Sequence, residues 1–379
     1  MSDSADLNQL IQELNAGVRG ESAAGEAARL TRWLEQLLER RGSDLLLVAG
    51  APPAVRVDGR VLPLPEGPLS GEEIEEAVLP VLPPHARLAY GQQQIADGSY
   101  RARQMGRFRV NLHRERGRAA AAVRALPAEP PRLASLQLPA GVEGLTRLPR
   151  GLVLVGGPAG SGKTTTLAAC VEEINRRHAR HILTIEDPIE YEHPHRMSLV
   201  EQVEIGTDAP DFPAALRAAM RQAPDVIVVG EMRDPETMHI ALAAAQTGHL
   251  VLSTVHTTDV ATTVARIADS FPAERQPVIR QELSMALAAV LTQTLLPRKG
   301  GGRVPAAELL VVGYAARQHI RKNALQHLHQ EIALTRKAGS VSLEESLARL
   351  VKEGLVEPEE ARSRAAHVEE FEGLLASKV

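Results

Sequence analysis

One stretch of this sequence carries a complete phosphate-binding pattern. Gly157-Pro158-Ala159-Gly160-Ser161-Gly162-Lys163-Thr164 reads G-x-x-x-x-G-K-[ST]. Its glycines let backbone amides converge on phosphate oxygens, and Lys163 can reach the outer phosphates as a point charge. The Thr164 hydroxyl can ligate Mg²⁺. Gly157 to Thr165 is therefore the candidate nucleotide-binding segment. Two carboxylates are candidate partners. Glu186 closes an apolar run, His181–Ile185, and Pro188 after it favours a turn, which puts Glu186 at the carboxyl end of a strand. Asp225 and Glu231 bracket a second run. Asp225 is at the amino end, the wrong edge for phosphate chemistry. Glu231 is at the exit, where it can orient and activate water and help hold Mg²⁺ through water. His249 and His256 flank Leu250–Thr254; either can donate to a phosphate oxygen, but structural hydrogen bonding accounts for such histidines equally well.

These groups need a parallel sheet to position them. Leu152–Val155 reads as a buried strand before the loop, and Thr165–Arg177 as the helix whose positive end faces the phosphates. Further helices are expected at Asp211–Ala223, with Arg217 and Arg221 on one face, and at Pro235–Gln246 and Ala261–Asp269. Pro277–Thr294 reads as one long helix with Ile279, Leu283, Leu287, Val290 and Leu291 as its stripe. Ala306–Val312 reads as a strand. Ala315–Lys322, Leu343–Val351 and Glu359–Glu372 read as helices.

Before the loop lies a small α+β region. Asp6–Val18 can form a short helix. Glu21–Arg41 has Leu30, Trp33, Leu34, Leu37 and Leu38 on one face. Asp44–Val48 reads as a strand, Asp58-Gly59 as a hairpin turn, and Ser70 with Glu73 as a capping box. Gln92–Ala102, Gly106–Leu112 and Arg118–Ala125 follow as strands, with Gly98, Gly106 and Gly117 as breaks. Alternation puts Arg107 and Arg109 on one face, opposite Phe108 and Val110. Those arginines, with Arg124 nearby, form either a solvated face or one aimed at nucleotide phosphates. Leu126–Pro149 is proline-rich and reads as a linker.

Composition narrows the function. A chain of 379 residues implies two or three domains, and a formal net charge of −4 gives no electrostatic case for nucleic-acid binding. One Trp, four Tyr and four Phe leave an aliphatic core and no stacking platform for single strands. The single cysteine, Cys170, excludes an intrachain disulfide and a four-cysteine zinc site, and reads as a buried small residue. Met1–Asn15 is polar, unlike an export signal, and no run approaches the ~18 apolar residues of a membrane span. A cytoplasmic protein is expected.

The order of GPAGSGKTTTLAA, TIEDPIEY, RAAMRQAPDVIVVGEMRDPET, HLVLSTVHTTD, FPAERQ and QTLLPRKGGGR resembles the secretion-type hexameric ATPases, and within them the type IV pilus retraction (twitching motility) motors. The resemblance runs from about Ser43 to Val356. It implies an α/β protein: a P-loop NTPase with a RecA-like C-terminal domain and a small PAS-like α+β N-terminal domain. The expected division is a helical segment 1–42, PAS-like domain 43–129, linker 130–149, RecA-like domain 150–356 and charged helical tail 357–379. By the same resemblance Glu231 is the Walker B glutamate, Glu186 the Asp-box glutamate near Mg²⁺, and His249 and His256 the His-box pair. Arg109 and Arg124, in GRFRVN and VRALP, match arginines that close over the nucleotide. ATP and Mg²⁺ are the implied cofactors. A homohexamer on the cytoplasmic side of the pilus machine is implied, with the inner-membrane platform protein, and a paralogous retraction motor, as partners and no zinc. Leu46 and Val203 depart from the usual pattern, as does AARQHIRK (315–322), which leaves a pilus assembly or secretion ATPase, or an accessory nucleotide-sensing paralogue, as alternatives.

Overall fold

The computed structural model describes residues 21–127 and 129–377, and the chain divides into two compact units, Met1–Ala128 and Glu129–Val379. The helix expected at Asp6–Val18 lies outside the described residues. None of the described helices is long and apolar enough to cross a membrane.

The first unit begins with α1 (Glu21–Glu39), followed by β1 (Asp44–Val48), β2 (Ala54–Val57), β3 (Arg60–Pro63), α2 (Gly71–Val78) and α3 (Pro84–Gln93). Three longer strands complete it: β4 (Ile95–Ala102), β5 (Gly106–Glu115) and β6 (Arg118–Ala125). They form an antiparallel sheet ordered β3-β2-β1-β6-β5-β4. The inward face packs Leu45, Leu47, Phe108, Val110, Leu112 and Val123 against Leu30, Trp33, Leu34 and Leu37 of α1 and Ile74 and Val78 of α2. Each such side chain contributes about 1.5–3 kcal/mol of burial. The capping box at Ser70 is formed as its sequence implies. Two details differ from expectation. Gln92 and Gln93 stay helical, because α3 runs on until Gln94 takes a left-handed cap at φ 59°. Gly98 is no break: it pairs with Val110 inside β4, and a Cβ there would sit 2.9 Å from Pro83 Cδ.

The second unit contains α4 (Gly141–Leu145), β7 (Gly151–Gly156), α5 (Lys163–Arg177), β8 (His181–Glu186), β9 (Leu199–Glu204), α6 (Phe212–Ala219), β10 (Val226–Val229), α7 (Pro235–Gln246), β11 (Leu250–Val255) and α8 (Val260–Asp269). It continues with α9 (Gln276–Ala286), β12 (Leu287–Pro297), β13 (Arg303–Val311), α10 (Tyr314–Arg321), α11 (Leu328–Leu334), α12 (Leu343–Lys352), α13 (Pro358–Arg364) and α14 (Val368–Ala376). The sheet order is β13-β12-β7-β11-β10-β8-β9, parallel throughout except between β12 and β13. Alternate residues of the central strands feed two cores. Val153 and Val155 pack with Leu167, Val171 and Ile174 of α5; Leu152 and Leu154 pack with Leu242, Val264 and Leu283 on the other side. A sheet covered on both faces explains why its strands read as unbroken apolar runs.

Three sequence expectations are corrected here. Pro277–Thr294 is not one helix: α9 ends at Ala286, and Leu287 takes extended angles (φ −65°, ψ 121°) to begin β12. The run that follows is apolar on both sides, with Val290 in one core and Leu291 in the other, and it fills the place between β7 and β13. Arg217 and Arg221 do not share a helix, since α6 stops at Ala219 and Met220 caps it. Glu359–Glu372 is two helices. The buried Glu344 carboxylate accepts the amides of Ala366 and His367 and so holds the break between them, while Phe371 of α14 is buried with Leu347 and Leu350.

Candidate functional site

The phosphate loop joins β7 to α5 and is built against β12. Gly157, Gly160 and Gly162 have φ of 148°, 75° and 89°. At Gly157 a Cβ would lie 2.3 Å from Ser161 Oγ and 2.5 Å from the Gln293 carbonyl oxygen, so a side chain would fill the cradle. Gln293, on β12, fastens the loop from behind. Its Nε2 donates to the Ser161 carbonyl at 2.7 Å, and its Oε1 accepts from Thr166 Oγ1 at 2.8 Å. Ser161 Oγ is buried without a hydrogen-bond partner. Lys163 begins α5, and its Nζ donates to the carbonyls of Gly157 and Pro158 at 2.8 and 2.9 Å. Burial lowers the Lys163 pKa, and the Glu231 charge opposes that shift.

Glu231 and His256 meet Lys163 at the carboxyl edge of the sheet. Glu231 follows β10 by two residues and His256 follows β11 directly. Lys163 Nζ lies 3.5 Å from His256 Nδ1; His256 Nε2 lies 3.9 Å from Glu231 Oε2; Arg233 Nε lies 2.7 Å from Glu231 Oε1. Burial and then the Lys163 charge push the His256 pKa down. A neutral ring facing the ammonium with Nδ1 as acceptor carries its proton on Nε2, toward Glu231. Glu186 ends β8 beside them: a Cβ on Gly230 would lie 3.5 Å from Glu186 Cα. Its Oε1 accepts from Thr184 Oγ1 at 2.7 Å and from Gln202 Nε2 at 3.1 Å. Burial raises the Glu186 pKa; those two bonds and the Glu190 amide act against the rise.

Other candidates are placed elsewhere. His249 precedes β11, at the amino edge, and its Nδ1 lies 3.0 Å from the Ala244 carbonyl oxygen. The six residues of β11 separate it from His256 by roughly 20 Å, so the fold does not bring it to Lys163 and Glu231. Asp225 sits at that same edge, accepting the His181 amide at 2.8 Å. Thr165 pairs through Oγ1 with Tyr191 Oη at 3.1 Å. Arg109 and Arg124 lie directly opposite each other on β5 and β6 of the first unit. Arg124 Nε donates to Asp44 Oδ1 at 2.8 Å, and Arg109 lies 3.8 Å from Asp97. Burial pushes the Asp44 carboxyl up, but the bonds from Ser43 and Arg124 and the charges of Arg124 and Arg56 outweigh it and hold it low.

Sequence reading missed Gln202, Gln293 and Arg233. For Gln293 the signal was present: a glutamine, flanked by threonines, inside an otherwise apolar run. The donor set fits a nucleoside triphosphate with Mg²⁺, having a cradle open only to glycine, an ammonium at its mouth and two carboxylates alongside. Among the described residues no three His, Cys, Asp or Glu side chains converge as a metal cage.

Residues 137–331 match the model of the family described as "Type II/IV secretion system protein". The chain is 40% identical over 342 residues to the type IV pilus retraction ATPase PilT of Pseudomonas aeruginosa, covering 90% of this chain and 99% of that one. It is 43% identical to a twitching motility protein of Neisseria gonorrhoeae, covering 85% and 86%, and 37% identical to the type IV pilus ATPase PilU of Pseudomonas aeruginosa, covering 88% and 87%. Among solved structures it is similar to the pilus retraction motor PilT with bound ADP, with a TM-score of 0.82, 43% identity, and coverage of 89% of this chain and 97% of that one.

Proposed function

Because the chain belongs to the type II/IV secretion system protein family, we propose that it is an ATP-driven motor of the pilus-retraction type. The protein is an ATPase, converting ATP and water to ADP and phosphate. The observation that carries the reading is the convergence of Lys163, Glu231 and His256 at the phosphate loop, with Glu186 at the end of the adjoining strand beside Gly230. Loop amides and the positive end of α5 bind the phosphate chain. Lys163 exchanges its two loop carbonyls for outer phosphate oxygens as negative charge develops there. Glu231 orients the attacking water and takes up its proton, while Arg233 holds one of its oxygens in place. Glu186 sets the water's position from the neighbouring strand. Mg²⁺ supplies positive charge to the phosphate oxygens, and Thr164, with Glu231 and Glu186 through water, would hold it. His256, with its pKa lowered and its ring between the Lys163 ammonium at 3.5 Å and the Glu231 carboxylate at 3.9 Å, is suited to report the state of the phosphate. His249 is assigned to the His-box pair by resemblance alone. Arg109 and Arg124 are proposed to exchange Asp97 and Asp44 for nucleotide phosphate.

The finer reading is a homohexamer with a PAS-like first domain, working at the cytoplasmic face of the inner membrane with a pilus platform protein. Support comes from the extent of the likeness to PilT, which spans nearly all of that protein. Deleting the gene is the test: excess surface pili with lost twitching supports retraction, whereas loss of pili identifies an assembly motor. The near-equal identity to PilU, together with AARQHIRK, keeps an accessory retraction motor as the second reading. Phosphate release by the purified chain alone separates an independent motor from one that needs a paralogue.

A further inference from the structure

We propose that Gln202 is a positioning residue for Glu186 and that, through Tyr191, it ties this carboxylate to the helix carrying Thr164. The inference rests on the hydrolytic role proposed above for Glu186. Gln202 lies on the edge strand β9, opposite Thr184 in the parallel register with β8. Its amide makes three hydrogen bonds. Nε2 donates to Glu186 Oε1 at 3.1 Å and to the Tyr191 carbonyl at 2.8 Å, and Oε1 accepts the His193 amide at 2.8 Å. This arrangement fixes the amide's orientation, because a flipped side chain would turn its oxygen toward two other oxygens and its NH₂ toward an N–H.

Two donors, Thr184 Oγ1 and Gln202 Nε2, reach the same oxygen of Glu186 from neighbouring strands. They lock rotation of the carboxylate about its last torsion, which is otherwise broad. A carboxylate that orients water acts through its direction, so a freely rotating one loses turnover without losing nucleotide affinity. Tyr191, 6% exposed, then carries the connection onward: its carbonyl takes Gln202 Nε2, and its hydroxyl meets Thr165 Oγ1, next to Thr164. These contacts link the strand holding Glu186 to the first turn of α5. The β8–β9 ladder is paired at six positions, from His181 opposite Leu199 to Glu186 opposite Glu204, and melting temperature reads any contribution of the Gln202 side chain to it.

The test uses the full chain with ATP and Mg²⁺, measuring kcat, KM, affinity for a fluorescent ADP analogue and melting temperature. Gln202→Met is expected to lower kcat about tenfold, with KM and ADP affinity within about twofold of wild type. Gln202→Glu keeps the acceptor for the His193 amide but loses both donated bonds; it is expected to lose as much turnover, and it serves if the Met variant does not fold. Because Gln202 acts through Glu186, adding Gln202→Met to Glu186→Gln is expected to reduce kcat no further. Wild-type kcat in both Gln202 variants would overturn the inference, as would the same tenfold loss in the Glu186→Gln background. Wild-type kcat in Glu186→Gln itself would overturn the role of Glu186, a separate failure that the same plate reveals.

Discussion

Replacing Gln293 by leucine removes the fastening between β12 and the phosphate loop while nearly conserving volume. The wild-type side chain is 4% exposed and satisfies both the Ser161 carbonyl and the Thr166 hydroxyl. Leucine leaves two buried polar groups unpaired, at about 1–3 kcal/mol each. Allowing for the lower desolvation cost of leucine, the expected loss is about 3 kcal/mol, or roughly 6–12 °C for a unit of this size. Calorimetry of the full chain measures it, and the transition that ADP raises belongs to the second unit. ADP affinity should weaken as well, because Ser161 and the turn that presents the loop amides lose their anchor. Adding Thr166→Val removes one of the stranded groups and should recover about 1–2 kcal/mol. A Gln293→Leu protein within ~0.5 kcal/mol of wild type, or a pair showing no recovery, would refute the reasoning.

Glu231→Gln is expected to lower kcat by about 10²-fold or more with nucleotide binding retained, measured by phosphate release and ADP titration; equal turnover would remove Glu231 from the mechanism. His193 is 9% exposed, and burial lowers its pKa to about 4. The unfolded chain therefore takes up this proton first as pH falls, so the contribution is complete above about pH 6.5 and is lost progressively toward about pH 4. Urea unfolding at pH 7 and pH 5 should show wild type losing about 2 kcal/mol more than His193→Asn; parallel losses would show that His193 is not the titrating group. Cys170 is buried in α5, and burial, followed by the Glu173 charge, pushes its thiol up to about 12. A thiol reagent at pH 8 should label it slowly in the native protein and rapidly in urea, and fast native labelling would contradict the burial.

Local patterns were legible where a short stretch dictates its own geometry. The phosphate loop, the capping box at Ser70, the alternation of Arg107 and Arg109 with Phe108 and Val110, and the place of Glu231 at a strand exit all follow from residues within a few positions of one another. The site's supporting contacts were not legible in this way. Gln293 meets Ser161 across 132 positions and Thr166 across 127, and Gln202 meets Glu186 across 16 from a neighbouring strand. Nothing near those glutamines encodes the partner.

The amino-acid sequence by itself determined the phosphate-binding chemistry, because glycine, lysine and threonine at fixed offsets constrain one continuous piece of backbone. It also set His249 and His256 at the two ends of one strand; the tertiary structure alone decided that Leu287–Pro297 is a strand and that only His256 joins Lys163 and Glu231. An apolar run is compatible with a buried helix or a buried strand, and its form is settled by pairing with β7 and β13. A strand's extended rise then carries its two ends far apart, whatever residue types they share.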